Sequence, residues 1–187
     1  MKNYQAIPGD IGFVMHWDNP MSKVIAWVLS LGAKDRSVRI SHSFGIIGSW
    51  LGYHWCAETS DFQMGLNVLD RYEKDPHCSI EIWRHPDILE EDHVQLISQG
   101  IGLTGHLYAY LQMISMLVRR LFKLFGIEIS NFITLGAGVC CSVPLYMHQN
   151  VPSSPLREID PESIDTMDLR ELLISSGFKL VYEKCVG

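Results

Sequence analysis

Short apolar segments bounded by turn residues predict β-strands in the first half of the chain. Residues 40–48 and 54–59 flank the turn-forming stretch 48–53, so we expect the two segments to form a β-hairpin. Residues 79–84, Ser-Ile-Glu-Ile-Trp-Arg, alternate with a period of two, which is typical of a half-buried strand. Further strands are predicted at residues 7–14, 65–69 and 178–182.

Apolar residues recur at helical spacing in the remaining segments. Helices are predicted at residues 22–31, 90–101, 107–125 and 165–176. The helix 107–125 is interrupted by Gln112, Arg119, Arg120 and Lys123, so we expect it to pack in the core rather than to span a bilayer. Binding of this helix to a membrane surface or to a partner is the less favoured alternative. Strands followed by helices and a final strand indicate an α+β fold.

Composition indicates one globular domain over residues 1–187, because 47% of the residues are hydrophobic and only 19% are charged. The net charge of −6, without a stripe of Lys and Arg, argues against nucleic acid as a partner. Five cysteines without CxxC spacing form neither a disulfide framework nor a zinc site. Residues 1–10 lack the apolar run of a secretory signal, so a cytoplasmic location is expected.

The predicted hairpin brings together two residues with complementary chemistry. If its turn centres near Trp50, His42 lies opposite Glu58, and directly opposed side chains project from the same face. A carboxylate beside an imidazole is the orienting arrangement of a nucleophile–base–carboxylate site. The alternative is a cross-strand ion pair on a solvated face, and a slip of one residue would move Glu58 to the other face.

Two adjacent cysteines are candidate nucleophiles. Cys140 and Cys141 follow the glycine-containing stretch 136–138, where a loop is predicted to enter a helix. Backbone N–H groups at a helix start, and a nearby imidazolium, lower the pKa of a thiol. The alternative is that these cysteines are small buried hydrophobic residues. The other cysteines, Cys56, Cys78 and Cys185, lie on strand-like segments and are interpreted as structural.

Five segments in a fixed order resemble a known family. They are Pro8-Gly-Asp-Ile-Gly-Phe-Val14, Ser41-His-Ser-Phe-Gly-Ile-Ile-Gly48, Ala57-Glu-Thr59, Ile80-Glu-Ile-Trp-Arg84 and Val139-Cys-Cys-Ser142. Together they resemble the permuted NlpC/P60-like amidases of papain fold, the YiiX-like group, with lecithin:retinol acyltransferase-like enzymes as more distant relatives. The similarity covers residues 9–182.

The resemblance implies a circularly permuted papain-like α+β fold, in which a small antiparallel sheet packs against helices. It implies a catalytic triad of Cys141, His42 and Glu58, without a metal or organic cofactor. Cys140 competes with Cys141, and Ser142 favours Cys141 because the family has a Cys-Ser motif. Val143-Pro144 departs from relatives that have an acidic residue and an unbroken helix at this point.

The expected activity is that of a cysteine peptidase or amidase that cleaves an amide bond in a peptide or small molecule through a thioester. The resemblance favours the peptides of bacterial cell walls as the substrate class. Two other functions remain open from the sequence. One is a lipid-directed thioesterase or acyltransferase, suggested by the apolar helix near Arg119 and Arg120. The other is a non-catalytic binding module on the same fold.

Overall fold

The computed structural model describes residues 4–31, 33–35, 37–60, 63–107, 110–123, 125–127, 129 and 139–186. The stretch 136–138, predicted to form a loop before the cysteines, lies outside these residues. The described part has an α+β fold, as predicted, with one antiparallel sheet and helices packed against it.

Six strands form the sheet in the spatial order β4-β3-β2-β1-β5-β6. They are β1 Ile11–His16, β2 His42–Trp50, β3 Tyr53–Ser60, β4 Gln63–Val68, β5 Cys78–Arg84 and β6 Lys179–Lys184. All five neighbouring pairs are antiparallel. Every predicted strand is found, although the first begins four residues later than the pattern indicated, because residues 7–10 form a turn closed by the hydrogen bond from the Asp10 N–H to the Ile7 carbonyl.

Six α-helices are described: α1 Pro20–Ser30, α2 Asp70–Lys74, α3 His93–Gly102, α4 Tyr110–Lys123, α5 Ser142–His148 and α6 Thr166–Ser175. The Asp165 side chain caps α6 by accepting from the N–H groups of Met167 and Asp168. The short helix α2 was not predicted, because five polar-rich residues carry no apolar period. Among the described residues, no helix is long and apolar enough to cross a membrane.

The β2–β3 hairpin turns at Leu51 and Gly52, both of which have positive φ. Beside this turn Gly48 pairs with Trp55, whereas beyond a β-bulge at Ile47 the residues that pair are Gly45 and Ala57. The register near His42 is therefore shifted by two residues from the predicted one. A shift of two keeps every side chain on its face, so His42 and Glu58 meet diagonally instead of directly.

Helix α5 lies close against β2, which positions the start of the helix near the site. Gly45 makes this approach possible, because a Cβ at that position would lie 2.3 Å from the Met147 sulfur. Leu145 of this helix belongs to a buried apolar cluster that also contains Leu156 and Leu169. The core therefore fixes both strand β2 and the residues that enter α5.

Candidate active site

The imidazole of His42 contacts the carboxylate of Glu58, as the hairpin pattern predicts. His42 Nε2 lies 2.9 Å from Glu58 Oε2, and the His42 side chain is 17% exposed whereas that of Glu58 is 0% exposed. Burial of this carboxylate excludes the alternative of an ion pair on a solvated face. With Nε2 engaged by Glu58, Nδ1 is the ring nitrogen left to exchange a proton with a thiol.

Glu58 has further partners that the sequence analysis missed. Arg71 Nη2 lies 2.8 Å from Glu58 Oε1, and the Tyr72 hydroxyl donates to Glu58 Oε2. Both residues belong to the unpredicted helix α2. The buried carboxylate is thus paired and hydrogen-bonded on both oxygens, which is the condition under which a buried charge is tolerated.

The two adjacent cysteines lie in different surroundings. The Cys141 thiol is 3.2 Å from the carbonyl oxygen of Ile164 and belongs to the buried apolar cluster under α5. Cys140 lines a small cavity together with His42, and hydrogen-bond and charge interactions between the two side chains shift both of their pKa values. Its sulfur is also 3.5 Å from the Thr166 hydroxyl.

This placement differs from the preference for Cys141, which rested on the serine that follows it. Cys141 is the residue that caps α5, and its backbone already has helical dihedral angles. Both thiols line the small cavity beside His42, but the interaction with the imidazole is made by Cys140, one residue earlier in the turn. Sequence spacing does not resolve which of two adjacent side chains takes which direction.

The electrostatics of the site separate the two thiols. Burial by itself lowers the pKa of His42, but hydrogen bonds and charge interactions with Cys140 and Glu58 outweigh it and raise the pKa to about 9. A hydrogen bond from Cys141 and the interactions with His42 hold the pKa of Cys140 well below its usual range. The same contact with Cys140, together with burial, raises the pKa of Cys141. These directions favour a thiolate–imidazolium pair of Cys140 and His42.

No family model matches the sequence, and no curated protein is significantly similar to it.

A small cavity of about 50 Å³ opens beside the two candidate catalytic residues, His42 and Cys140. Aliphatic side chains from two helices line it, namely Ile25 and Leu29 of α1 and Met116 and Leu117 of α4. Three larger grooves, of about 430, 190 and 160 Å³, lie elsewhere and include neither His42 nor Cys140. The helices α1 and α4 therefore give the cavity beside the Cys140 thiol an aliphatic lining.

Proposed function

We propose that the protein is a cysteine-dependent acyl hydrolase with Cys140 as the nucleophile, His42 as the acid–base and Glu58 as the residue that orients the imidazole. The observation that carries this proposal is that Cys140 and His42 line one cavity, in which the imidazole lies 2.9 Å from the buried Glu58 carboxylate. The α+β fold is compatible with a circularly permuted papain-like fold of the NlpC/P60 type, and that fold identity is part of the proposal.

The reaction proceeds by acyl transfer in two steps. The Cys140 thiolate attacks the carbonyl carbon of an amide, and the His42 imidazolium donates its proton to the departing nitrogen as the C–N bond breaks. Water then attacks the resulting thioester while His42 takes one of its protons. The C–S bond breaks, a carboxylic acid leaves, and the thiolate–imidazolium pair is restored. Backbone N–H groups at the start of α5 are the candidate donors for the oxyanion.

Matched cysteine variants test this assignment. We expect Cys140→Ala to abolish turnover of a panel of peptide amides and acyl esters, and Cys141→Ala to retain a reduced turnover, because it removes only a hydrogen bond that lowers the pKa of Cys140. Iodoacetamide at pH 6, with the modified residue located by tandem mass spectrometry, should label Cys140 faster than a free thiol. Loss of turnover only in Cys141→Ala would transfer the nucleophile to Cys141.

A lipid-directed thioesterase or acyltransferase is the second candidate. The aliphatic cavity favours it, and so do the exposed apolar side chains of α1, where Met21, Val24 and Trp27 are each more than half exposed. The charge argument for it is weaker than the sequence suggested, because Arg119 and Arg120 both form ion pairs with Asp168.

Two measurements separate the remaining functions. Sedimentation with anionic vesicles tests the lipid-directed candidate, and a protein that stays in the supernatant argues against it. If Cys140 reacts with iodoacetamide no faster than a free thiol, and no substrate in the panel is turned over, a non-catalytic binding module is supported instead.

A further inference from the structure

We propose that Arg71 and Tyr72 are positioning residues, which hold the Glu58 carboxylate ionised in one place and limit how strongly it stabilises the His42 imidazolium. We call these two residues the Glu58 clamp. The inference rests on the proposed function for its catalytic consequence. Its electrostatic part can be tested on the protein whether or not turnover is found.

Four donors approach the two oxygens of Glu58, namely the two residues of the clamp, the His42 imidazole and the Cys56 thiol. Oε1 faces Arg71 Nη2 at 2.8 Å, while Oε2 is shared by His42 Nε2 at 2.9 Å and the Tyr72 hydroxyl. Arg71 Nη2 also donates to the Tyr72 oxygen over 2.6 Å, and the guanidinium carbon stands 4.6 Å from the Tyr72 ring centroid. Since Tyr72 and His42 both donate to Oε2, each weakens the hydrogen bond that the other makes with this oxygen.

Packing fixes the clamp independently of these polar contacts. The Tyr72 ring is 2% exposed and lies parallel to Phe44, with centroids 5.5 Å apart and an interplanar angle of 8°. Phe44 is two residues from His42 on the same strand, so the ring that orders the clamp and the imidazole project from one face of β2. Displacement of Tyr72 would therefore be transmitted to the position of Glu58.

The need for Arg71 follows from the charges during the proposed reaction. While His42 is an imidazolium it balances the negative charge of Glu58. Once His42 has donated its proton to the leaving group, Glu58 would be a buried carboxylate without a counter-ion, which is costly. Arg71 supplies a positive charge that does not titrate, so Glu58 remains balanced in both states of His42.

The titratable and charged groups around Glu58 come from several elements. Cys56 on the same strand has its sulfur 3.7 Å from Oε1, and the His16 ring on β1 is 5.6 Å from the Tyr72 ring. Beyond His42 lie Cys140 and, at the far side of the cavity, Asp165. The variants below leave all of these groups unchanged, so a change in the pKa of His42 is assigned to the clamp.

The experiment follows the titration of His42 by NMR in the full chain. Arg71→Gln removes the charge, Arg71→Lys retains it, and Tyr72→Phe removes only the hydroxyl. The matched control is Arg170→Gln, because Arg170 also bonds a carboxylate, that of Glu81 at 2.7 Å, and stands over an aromatic ring, that of Trp83 at 5.3 Å.

We expect Arg71→Gln to move the His42 titration upward by about half a pH unit or more, because loss of a nearby positive charge favours the imidazolium. Tyr72→Phe should produce a smaller upward shift, and Arg71→Lys should stay near the wild type, as should Arg170→Gln. In turnover, the alkaline limit of kcat should move with the NMR titration.

The proposal is overturned if both Arg71→Gln and Tyr72→Phe, folded by circular dichroism, titrate at His42 as the Arg170→Gln control does. A downward shift would also overturn it. If Arg71→Gln does not fold, Tyr72→Phe alone decides, since it preserves the ring that packs on Phe44. A shifted titration without any turnover in the wild type would refute the proposed function and leave the charge coupling standing.

Discussion

Replacement of Glu58 by glutamine tests how much the buried carboxylate contributes to stability. The amide has nearly the same shape, but one of its two terminal groups is now a donor. Whichever way the amide is turned, that NH₂ group faces either Arg71 or the pair formed by His42 and Tyr72, all of which approach as donors. Glu58→Gln therefore loses at least one charge-assisted hydrogen bond and leaves a donor unsatisfied.

Breaking a buried ion pair by removing one partner costs about 3–5 kcal/mol. The Arg71 side chain is 42% exposed and can turn to water, which places the expected loss near the lower end, at about 3 kcal/mol. For a chain of this length, each kcal/mol corresponds to roughly 2–4 °C in Tm. We therefore expect Glu58→Gln to lower Tm by about 10 °C.

The matched control is Glu81→Gln. Glu81 accepts from Arg170 at 2.7 and 3.2 Å, but its side chain is 22% exposed, so solvent compensates part of the loss. We expect this variant to lose about 1 kcal/mol or less. Differential scanning calorimetry of both variants at pH 7 gives the comparison. Equal decreases in Tm would refute the reasoning, because burial and the contact with His42 would then contribute nothing.

The stability lost in Glu58→Gln relative to the wild type should depend on pH in a definite direction. Burial raises the pKa of Glu58, but the hydrogen bond and charge of His42, followed by the charge of Arg71, outweigh it and lower the pKa overall. A carboxylate with a lowered pKa stabilises the folded state above its unfolded pKa and loses that contribution as the pH falls through the folded value. The difference in Tm between the wild type and Glu58→Gln should therefore become smaller as the pH is lowered into the acid range.

Three further predictions follow from other positions. Because the pKa of His42 is raised to about 9, turnover should decline as the pH rises past that value. A pH profile of kcat/KM measures this decline, and a decline near pH 6.5 would contradict the ion pair of His42 with Cys140. Gly12→Ala should lower Tm and turnover together, because its Cβ would lie 2.1 Å from the Phe44 ring; unchanged values would show that the ring can move. Leu51→Asn should raise Tm slightly, because Leu51 has a φ of 52° and the sequence Asn-Gly suits a turn with two positive φ values. An unchanged Tm would mean that Leu51 causes no strain in the turn.

Much of the fold and the contact between His42 and Glu58 were predictable because they depend on local patterns. The strands and the longer helices follow from periodicity, and the contact between His42 and Glu58 follows from the pairing of two neighbouring strands. Helix α2, which carries Arg71 and Tyr72, is too short and too polar to show a period, so the clamp was invisible in the sequence. The choice between Cys140 and Cys141 depends on the rotation of a single turn, which no spacing specifies.

The hairpin shows why an inaccurate register still gave the right contact. Its turn lies beyond the predicted centre, so next to the turn each β2 residue faces a β3 residue three positions later than predicted. A shift by an odd number along the whole hairpin would place Glu58 on the face opposite to His42. The bulge at Ile47 reduces this shift from three residues to two, which is an even number. The bulge is therefore the feature of the backbone that returns Glu58 to the face of His42, and without it neither the orienting contact nor the clamp on α2 would have a carboxylate to hold.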